Sequence, residues 1–234
     1  MKFYSPEAFF DLTDHAAAGL FKDITYVWDA IAALPAFIEK ILRPEILGEI
    51  EEGAWLEPKR VQVGKGSRIE RGAIVRGPTI IGENTVVRTG AYVRGHVMVG
   101  NECMIGHGTE TRQILVLNGT NIPHLNCFFT SLLGNKVQIG GDTHTANRRL
   151  SGKEVAIRVN SEGVTQSIPT GQVLFGAVIG DDSIVSGGCL LQAGTVIGRR
   201  SLIFPQCSIS GYFPNDSVVK PISSTYEVVL KERK

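Results

Sequence analysis

From Val63 an aliphatic residue returns every six positions: Val63, Ile69, Val75, Ile81, Val87, Val93, Val99 and Ile105 hold one phase without error. Four places after each stands a residue that is small or at most valine-sized: Ser67, Ala73, Thr79, Thr85, Ala91, Val97, Cys103 and Thr109. The phase is lost, returns at Leu133 and Ile139, is lost again, and then runs from Val173 through Ile179, Val185, Leu191, Ile197 and Ile203 to Ile209. An α-helix repeats at about 3.6 residues and a strand at about 2, so neither produces a strict six. A backbone wound into triangular coils does. Each hexad supplies one short flat strand and a turn, and three hexads, roughly 18 residues, close a coil that buries its apolar side only against its neighbours. The large residue fills the interior and the small one fits near the corner. These 17 hexads predict about six coils of an all-β solenoid, a parallel β-helix. Gly66, Gly72, Asn84, Gly90 and Gly108 fall in the turns, where a corner needs positive φ. Cys103, Cys189 and Cys207 occupy the small inward position, so packing accounts for them.

The repeat divides the chain. Residues 1–58 read as an N-terminal helical cap segment, 59–221 as the β-helix, and 222–234 as a C-terminal tail with a weak strand pattern over Tyr226–Leu230. Ser5 is placed to cap a first helix with Pro6 at its first position. A second helix is predicted from Tyr26 to Leu42, kinked or restarted at Pro35. Such helices are expected to hide an open end of the solenoid or to meet a neighbouring subunit. Two stretches leave the repeat, near 111–132 and 145–172, and are expected to be loop excursions, where function concentrates on a rigid scaffold. The balance of 24 Lys plus Arg against 23 Asp plus Glu gives no reason to expect nucleic acid or an anionic membrane as partner. The first residues lack the apolar run of a signal peptide, and no stretch approaches the ~20 apolar residues of a membrane span, so a cytoplasmic protein with free thiols is expected.

Most residues able to do chemistry lie on or beside the two breaks. The first holds Ile122-Pro123-His124-Leu125-Asn126-Cys127; the second opens with Ala146-Asn147-Arg148-Arg149 and carries Lys153. His96 and His107 fall on turns of regular coils and His144 ends a hexad, positions that usually mean a solvated side chain. His124 differs, because Pro123 stiffens a non-repeat segment around it.

The repeat resembles that of the hexapeptide acyltransferases, which implies a left-handed helix. More closely, Arg76-Gly77-Pro78 with Ile81-Gly82-Glu83-Asn84, Pro123-His124-Leu125-Asn126, Ala146-Asn147 before Lys153, and Gly176-Ala177-Val178-Ile179-Gly180-Asp181 resemble the glucosamine-1-phosphate N-acetyltransferase domain of bifunctional sugar-1-phosphate nucleotidyltransferases. The Leu-x-x-Gly-x-Gly-Thr-Arg segment of the nucleotidyltransferase half does not occur, so nucleotidyl transfer is not expected. The resemblance implies an acetyl-CoA-dependent N-acetyltransferase acting on a small-molecule amino-sugar phosphate, and a homotrimer with sites between subunits. It makes His124 the general base, a role suited to imidazole because its ordinary pKa lies near neutrality, with Asn147 beside it. It assigns Arg94, Arg112, Asn126, Cys127, Gln138 and Lys153 to the acceptor, the cations facing its phosphate. It places backbone groups of Ala177 and Thr195 against acetyl-CoA, where an N–H could steady an oxyanion. It implies no metal. Relatives commonly carry Tyr where this chain has Cys127, and a thiol has neither the reach nor the stacking of a phenol, so sugar preference does not carry over.

Two other classes stay open on the sequence. A non-catalytic relative could bind nucleotide sugar or CoA without turnover. A zinc enzyme of the γ-carbonic anhydrase kind uses the same solenoid but needs three histidines, two of them close on one strand, and His144 has no such neighbour.

Overall fold

The computed structural model describes residues 4–13, 15–161 and 164–222, so the predicted tail strand at Tyr226–Leu230 lies outside the described residues. The architecture is a left-handed parallel β-helix. One face is a nine-stranded parallel sheet running from Glu49–Ile50 to Val218–Val219. The other two faces are counted as one 14-stranded sheet, because Glu110–Val116 and Cys127–Leu133 each run through the corner between them. The inward column of each face is a stack of aliphatics, and together they form one continuous core.

The ladder has nine rungs where the hexad pattern predicted about six, and it begins at Glu49, so residues 49–58 belong to the solenoid and not to the cap. The reason is a change of coil length. Tyr92 pairs with Glu110, a coil of 18 residues, whereas Val97 pairs with Ile114, a coil of 17. One corner residue has been lost: Gly95 and His96, both at positive φ, are matched one rung on by Gln113 alone at φ 49°, and then by Thr130 at φ 50°. The inward positions shift accordingly to Thr111, Val116, Ile122, Phe128 and Leu133, all fully buried. The expected excursion over 111–132 is therefore a regular part of the prism. Threonine and phenylalanine at inward positions conceal it. Thr111 and Thr145 sit one rung either side of Phe128 in the same column, so two small side chains leave room for the ring.

After Thr145 the chain leaves the ladder, forms an antiparallel hairpin of Ala156–Ser161 against Val164–Pro169, and rejoins at Ala177–Ile179. Val173 is 45% exposed and is not the inward residue that its spacing implies.

The helices do not cap an end. Strands on one lateral face are apolar on both sides, as in Thr79-Ile80-Ile81, Val97-Met98-Val99 and Ala177-Val178-Ile179. Their outward residues Ile80, Met98, Leu115, Leu132, Val178 and Val196 form a second core with Trp28, with Ile31, Leu34 and Ile38 of the helix Asp29–Ile41, and with Val155 before the hairpin and Ile157 and Val159 within it. The helix passes Pro35 unbroken. Proline cannot donate to the Ile31 carbonyl, and Gln113 Nε2 donates to that carbonyl instead at 3.2 Å. Further along, Gln172 Nε2 donates to the Trp28 carbonyl at 2.9 Å. The segment before the helix is pinned by Asp181, whose N–H donates to the Phe9 carbonyl and whose Oδ2 accepts the Asp11 N–H at 2.6 Å. Among the described residues no helix is long and apolar enough to cross a membrane.

Two substitutions test this seam. Leu115→Ala is expected to lower stability by about 2–5 kcal/mol through the cavity it leaves. Gln113→Ala is expected to cost about 1–3 kcal/mol by orphaning the Ile31 carbonyl. Chemical denaturation measures both, and faster amide exchange confined to 29–41 should accompany the second.

Candidate active site

Parallel in-register pairing sets surface residues in columns with a pitch of about 4.8 Å. On one open face the first column reads Trp55, Ile74, Tyr92, Glu110, Cys127, His144 and Leu190, rung by rung. A second column, two residues on, carries Arg76, Arg94, Arg112 and Phe129. Arg94, Arg112 and Cys127 thus share one face. Arg94 Nη1 donates to Glu110 Oε1 at 2.6 Å, and its guanidinium lies 5.8 Å from the Tyr92 ring centre and 6.0 Å from that of Phe129. Burial pushes the Cys127 thiol up in pKa and the Glu110 carboxylate adds to it, while Arg94 pulls the other way.

His124 is exposed at the corner where this face begins. Pro123 packs so closely on Gly106 that a Cβ there would sit 0.9 Å from the Pro123 carbonyl oxygen. The imidazole in turn lies over Gly141, with Nε2 2.6 Å from where a Cβ would be. Glycines on both neighbouring rungs therefore shape the seat of the ring. His107 holds the equivalent place one rung earlier, its Nδ1 2.7 Å from the Thr89 carbonyl oxygen.

The remaining expected residues are not all brought to His124. Gln138 is round the corner on the nine-stranded face, where its Oε1 accepts from Asn121 Nδ2 at 3.1 Å. Asn147 stands at the far edge of the arginine face, donating Nδ2–H to Thr130 Oγ1 at 2.9 Å, and Lys153 is exposed on the excursion beyond it. At 3.3 Å per residue the face between His124 and Thr130 spans on the order of 20 Å, so His124 and Asn147 of one chain do not meet.

Three expectations need correction. Asn126 is only 1% exposed; its Oδ1 accepts the Thr143 N–H at 2.8 Å and its carbonyl accepts the Glu110 N–H, so its side chain braces the coil and cannot touch a substrate. Ala177 and Thr195 are fully buried. Their N–H groups donate to Ser131 Oγ at 2.9 Å and to the Gln192 carbonyl at 3.1 Å, and neither is left for an oxyanion.

A groove of about 820 Å³ opens just outside Thr195, between the excursion and the later coils. Arg148, Arg149 and Arg158 line it together with Gln192, Ala193 and Ser210, and no acidic side chain does. Arg158 is fixed by donating to Ser210 Oγ. Glu110 and Arg158 carry no motif that marks them in sequence. Arg76 does: Arg76, Arg94 and Arg112 recur once per coil, a spacing visible without coordinates. Among the described residues no cluster of three or more His, Cys, Asp or Glu could hold a metal ion.

Residues 75–168 match the family described as the GMPPB C-terminal domain. The chain is 34% identical over 201 residues to the bifunctional protein GlmU of Methanococcus maripaludis, covering 86% of this chain and 47% of that protein. It is 28% identical over 228 residues to the GlmU of Methanocaldococcus jannaschii, covering 80% and 50%. The chain thus spans about half the length of the curated relatives it matches. Among solved structures, the acetyltransferase domain of PglB from Neisseria gonorrhoeae in complex with acetyl coenzyme A aligns at 19% identity over 42% of this chain and 49% of that one, with TM-score 0.40.

The thiol environment yields a test. In the native protein iodoacetamide should label Cys127 before the buried Cys103, Cys189 and Cys207. Because the Cys127 pKa is raised, its rate at neutral pH should fall below that of a free thiol and climb only at alkaline pH. Glu110→Gln should accelerate it. Peptide mass spectrometry over a pH series reads all three effects.

Proposed function

From a β-helix related in sequence to the acetyltransferase part of bifunctional sugar-1-phosphate nucleotidyltransferases, we propose that this chain transfers an acetyl group from acetyl-CoA to the amine of an amino-sugar phosphate. The observation that carries the proposal is His124: an exposed imidazole seated over Gly141 at the border of a face that presents Arg94 and Arg112. In this scheme the arginines hold the acceptor phosphate through charge-assisted, fork-shaped contacts. His124 takes a proton from the acceptor ammonium, freeing the lone pair for attack on the thioester carbonyl. Acetyl-CoA supplies the activated acetyl group; the new bond is C–N, the bond broken is C–S, and the CoA thiol leaves. The arginine-lined groove fits the anionic end of such a donor in size and in the charge of Arg148, Arg149 and Arg158. Asn147 and Lys153 neighbour the lining residues Ala146, Arg148 and Ser151 in sequence, and in this scheme they help to hold the acceptor.

The placing of Gln138 and Asn147 on opposite sides of the arginine face favours assembly. If copies pack through their open faces, one chain's His124 border meets a neighbour's excursion, and residues kept apart within a chain come together. The third face is closed by the helix Asp29–Ile41 and cannot serve. A homotrimer is the assembly we propose, with a solution mass three times the 25.3 kDa of the chain. Light scattering checks this.

His124→Ala is expected to cut acetylation of glucosamine 1-phosphate by about 10²–10⁴-fold while leaving the denaturation midpoint in place, since the side chain is exposed. Arg112→Ala should raise KM for the acceptor far more than it lowers kcat. Wild-type protein that transfers no acetyl group to any amino sugar would sink the proposal, and would favour a non-catalytic binding role.

A further inference from the structure

Arg76, Arg94 and Arg112 stand in register on three consecutive rungs, all exposed, within about 10 Å. Like charges directly opposite on neighbouring strands are destabilising; Arg94 is paired with Glu110, and Glu57 stands one rung below Arg76 in the same column, its Oε2 accepting the Gly77 N–H at 3.0 Å. Among the described ion pairs none involves Arg76 or Arg112. Arg76 is instead held between two aromatic rings, 5.9 Å from the centre of Trp55 and 6.0 Å from that of Tyr92. Trp55 is 45% exposed, and neighbouring Ile74 is 42% exposed. This strip lies at the end of the face away from His124. From the rung of Trp55 to the rung of Cys127 is four steps, about 19 Å.

One phosphate monoester occupies a single guanidinium fork. Three forks in a line, closed by a flat, half-exposed aromatic surface, suit a longer anion that ends in an aromatic ring. We propose that the acceptor is an amino sugar carried on a nucleoside diphosphate. Its diphosphate lies along Arg112 and Arg94, and its base stacks on the Arg76 guanidinium between Trp55 and Tyr92. Base stacking on aromatic and guanidinium planes is strong and tolerant of which base is present. This inference rests on reading the arginine face as the acceptor site, and it extends that site by three residues, Arg76, Trp55 and Tyr92.

Tryptophan fluorescence reports on the strip directly. The chain has two tryptophans; Trp28 is fully buried under the helix, so a ligand-dependent change belongs to Trp55, which Trp55→Phe confirms. UDP and GDP, titrated at physiological salt, should quench Trp55 and bind about tenfold or more tightly than glucosamine 1-phosphate. Arg76→Ala should weaken UDP by about tenfold and leave glucosamine 1-phosphate binding unchanged. Arg76→Lys should lose most of the same affinity, because an ammonium keeps the charge but not the stacking plane. Equal affinity for UDP and glucosamine 1-phosphate, or an Arg76→Ala variant that binds UDP like wild type, overturns the inference. CoA also carries a nucleoside diphosphate. If CoA displaces UDP from Trp55, and Arg76→Ala raises KM for acetyl-CoA instead of the acceptor, the strip belongs to the donor and the inference falls. The two proposals fail separately: acetyl transfer to glucosamine 1-phosphate without a UDP effect removes only this one, and UDP binding without acetyl transfer removes only the enzymatic reading.

Discussion

Every rung of this protein is tied to the next by parallel backbone pairing in strict register, and everything else inherits its position from that constraint. A residue's neighbours above and below are whatever stands one coil away. Columns of inward aliphatics follow from it, as in Val63, Ile81, Val99, Val116 and Leu133. So do columns of surface charge. Arg76, Arg94 and Arg112 form a strip because coils of constant length return the same position to the same face. The close seat of Pro123 on Gly106, and of His124 over Gly141, is the same rule acting at a corner, where only glycine leaves room for the next turn.

The prism tolerates two departures from regularity, and each does something for the site. Loss of one corner residue at Gln113, repeated at Thr130, keeps the register but frees two polar side chains at the edge of the covered face. Gln113 answers the carbonyl that Pro35 leaves open in the helix, and Thr130 receives the Asn147 amide. The large insertion after Thr145 builds one wall of the arginine groove and contributes Val155, Ile157 and Val159 to the second core. Helix and hairpin together close one face, which leaves two faces open and concentrates exposed function there.

Much of the fold was legible as a period of six, because inward volume must repeat whenever each strand contributes the same short face to a common interior. The pattern failed at Thr111, Phe128 and Thr145, where core volume is shared between neighbouring rungs and no single position carries an aliphatic. It failed also at Val173, whose spacing is right and whose chain path is not. The covering of one face was present in the sequence as apolar residues beside the inward aliphatic once per coil, at Ile80 and Met98. Read one hexad at a time, they look like ordinary variation.

The candidate site was legible in part for a related reason. His124, Arg94, Arg112 and Cys127 are marked by motif and by coil spacing, and they do border or share one face. Asn126, Ala177 and Thr195 carry equally good motif positions, yet Asn126 Oδ1 and the N–H groups of Ala177 and Thr195 bond within the prism itself. Motif position does not say which way a side chain or an N–H points.

The sequence by itself determined a triangular solenoid, the identity of its corner residues and a histidine stiffened by proline, because period and local stereochemistry are properties of consecutive residues. Only the tertiary structure decided the length of each coil, the number of rungs, the face that the helices cover and the separation of His124 from Asn147. Those depend on which coil lies against which, and a single residue lost at a corner changes the sequence spacing of the pairs around it, from 18 residues to 17.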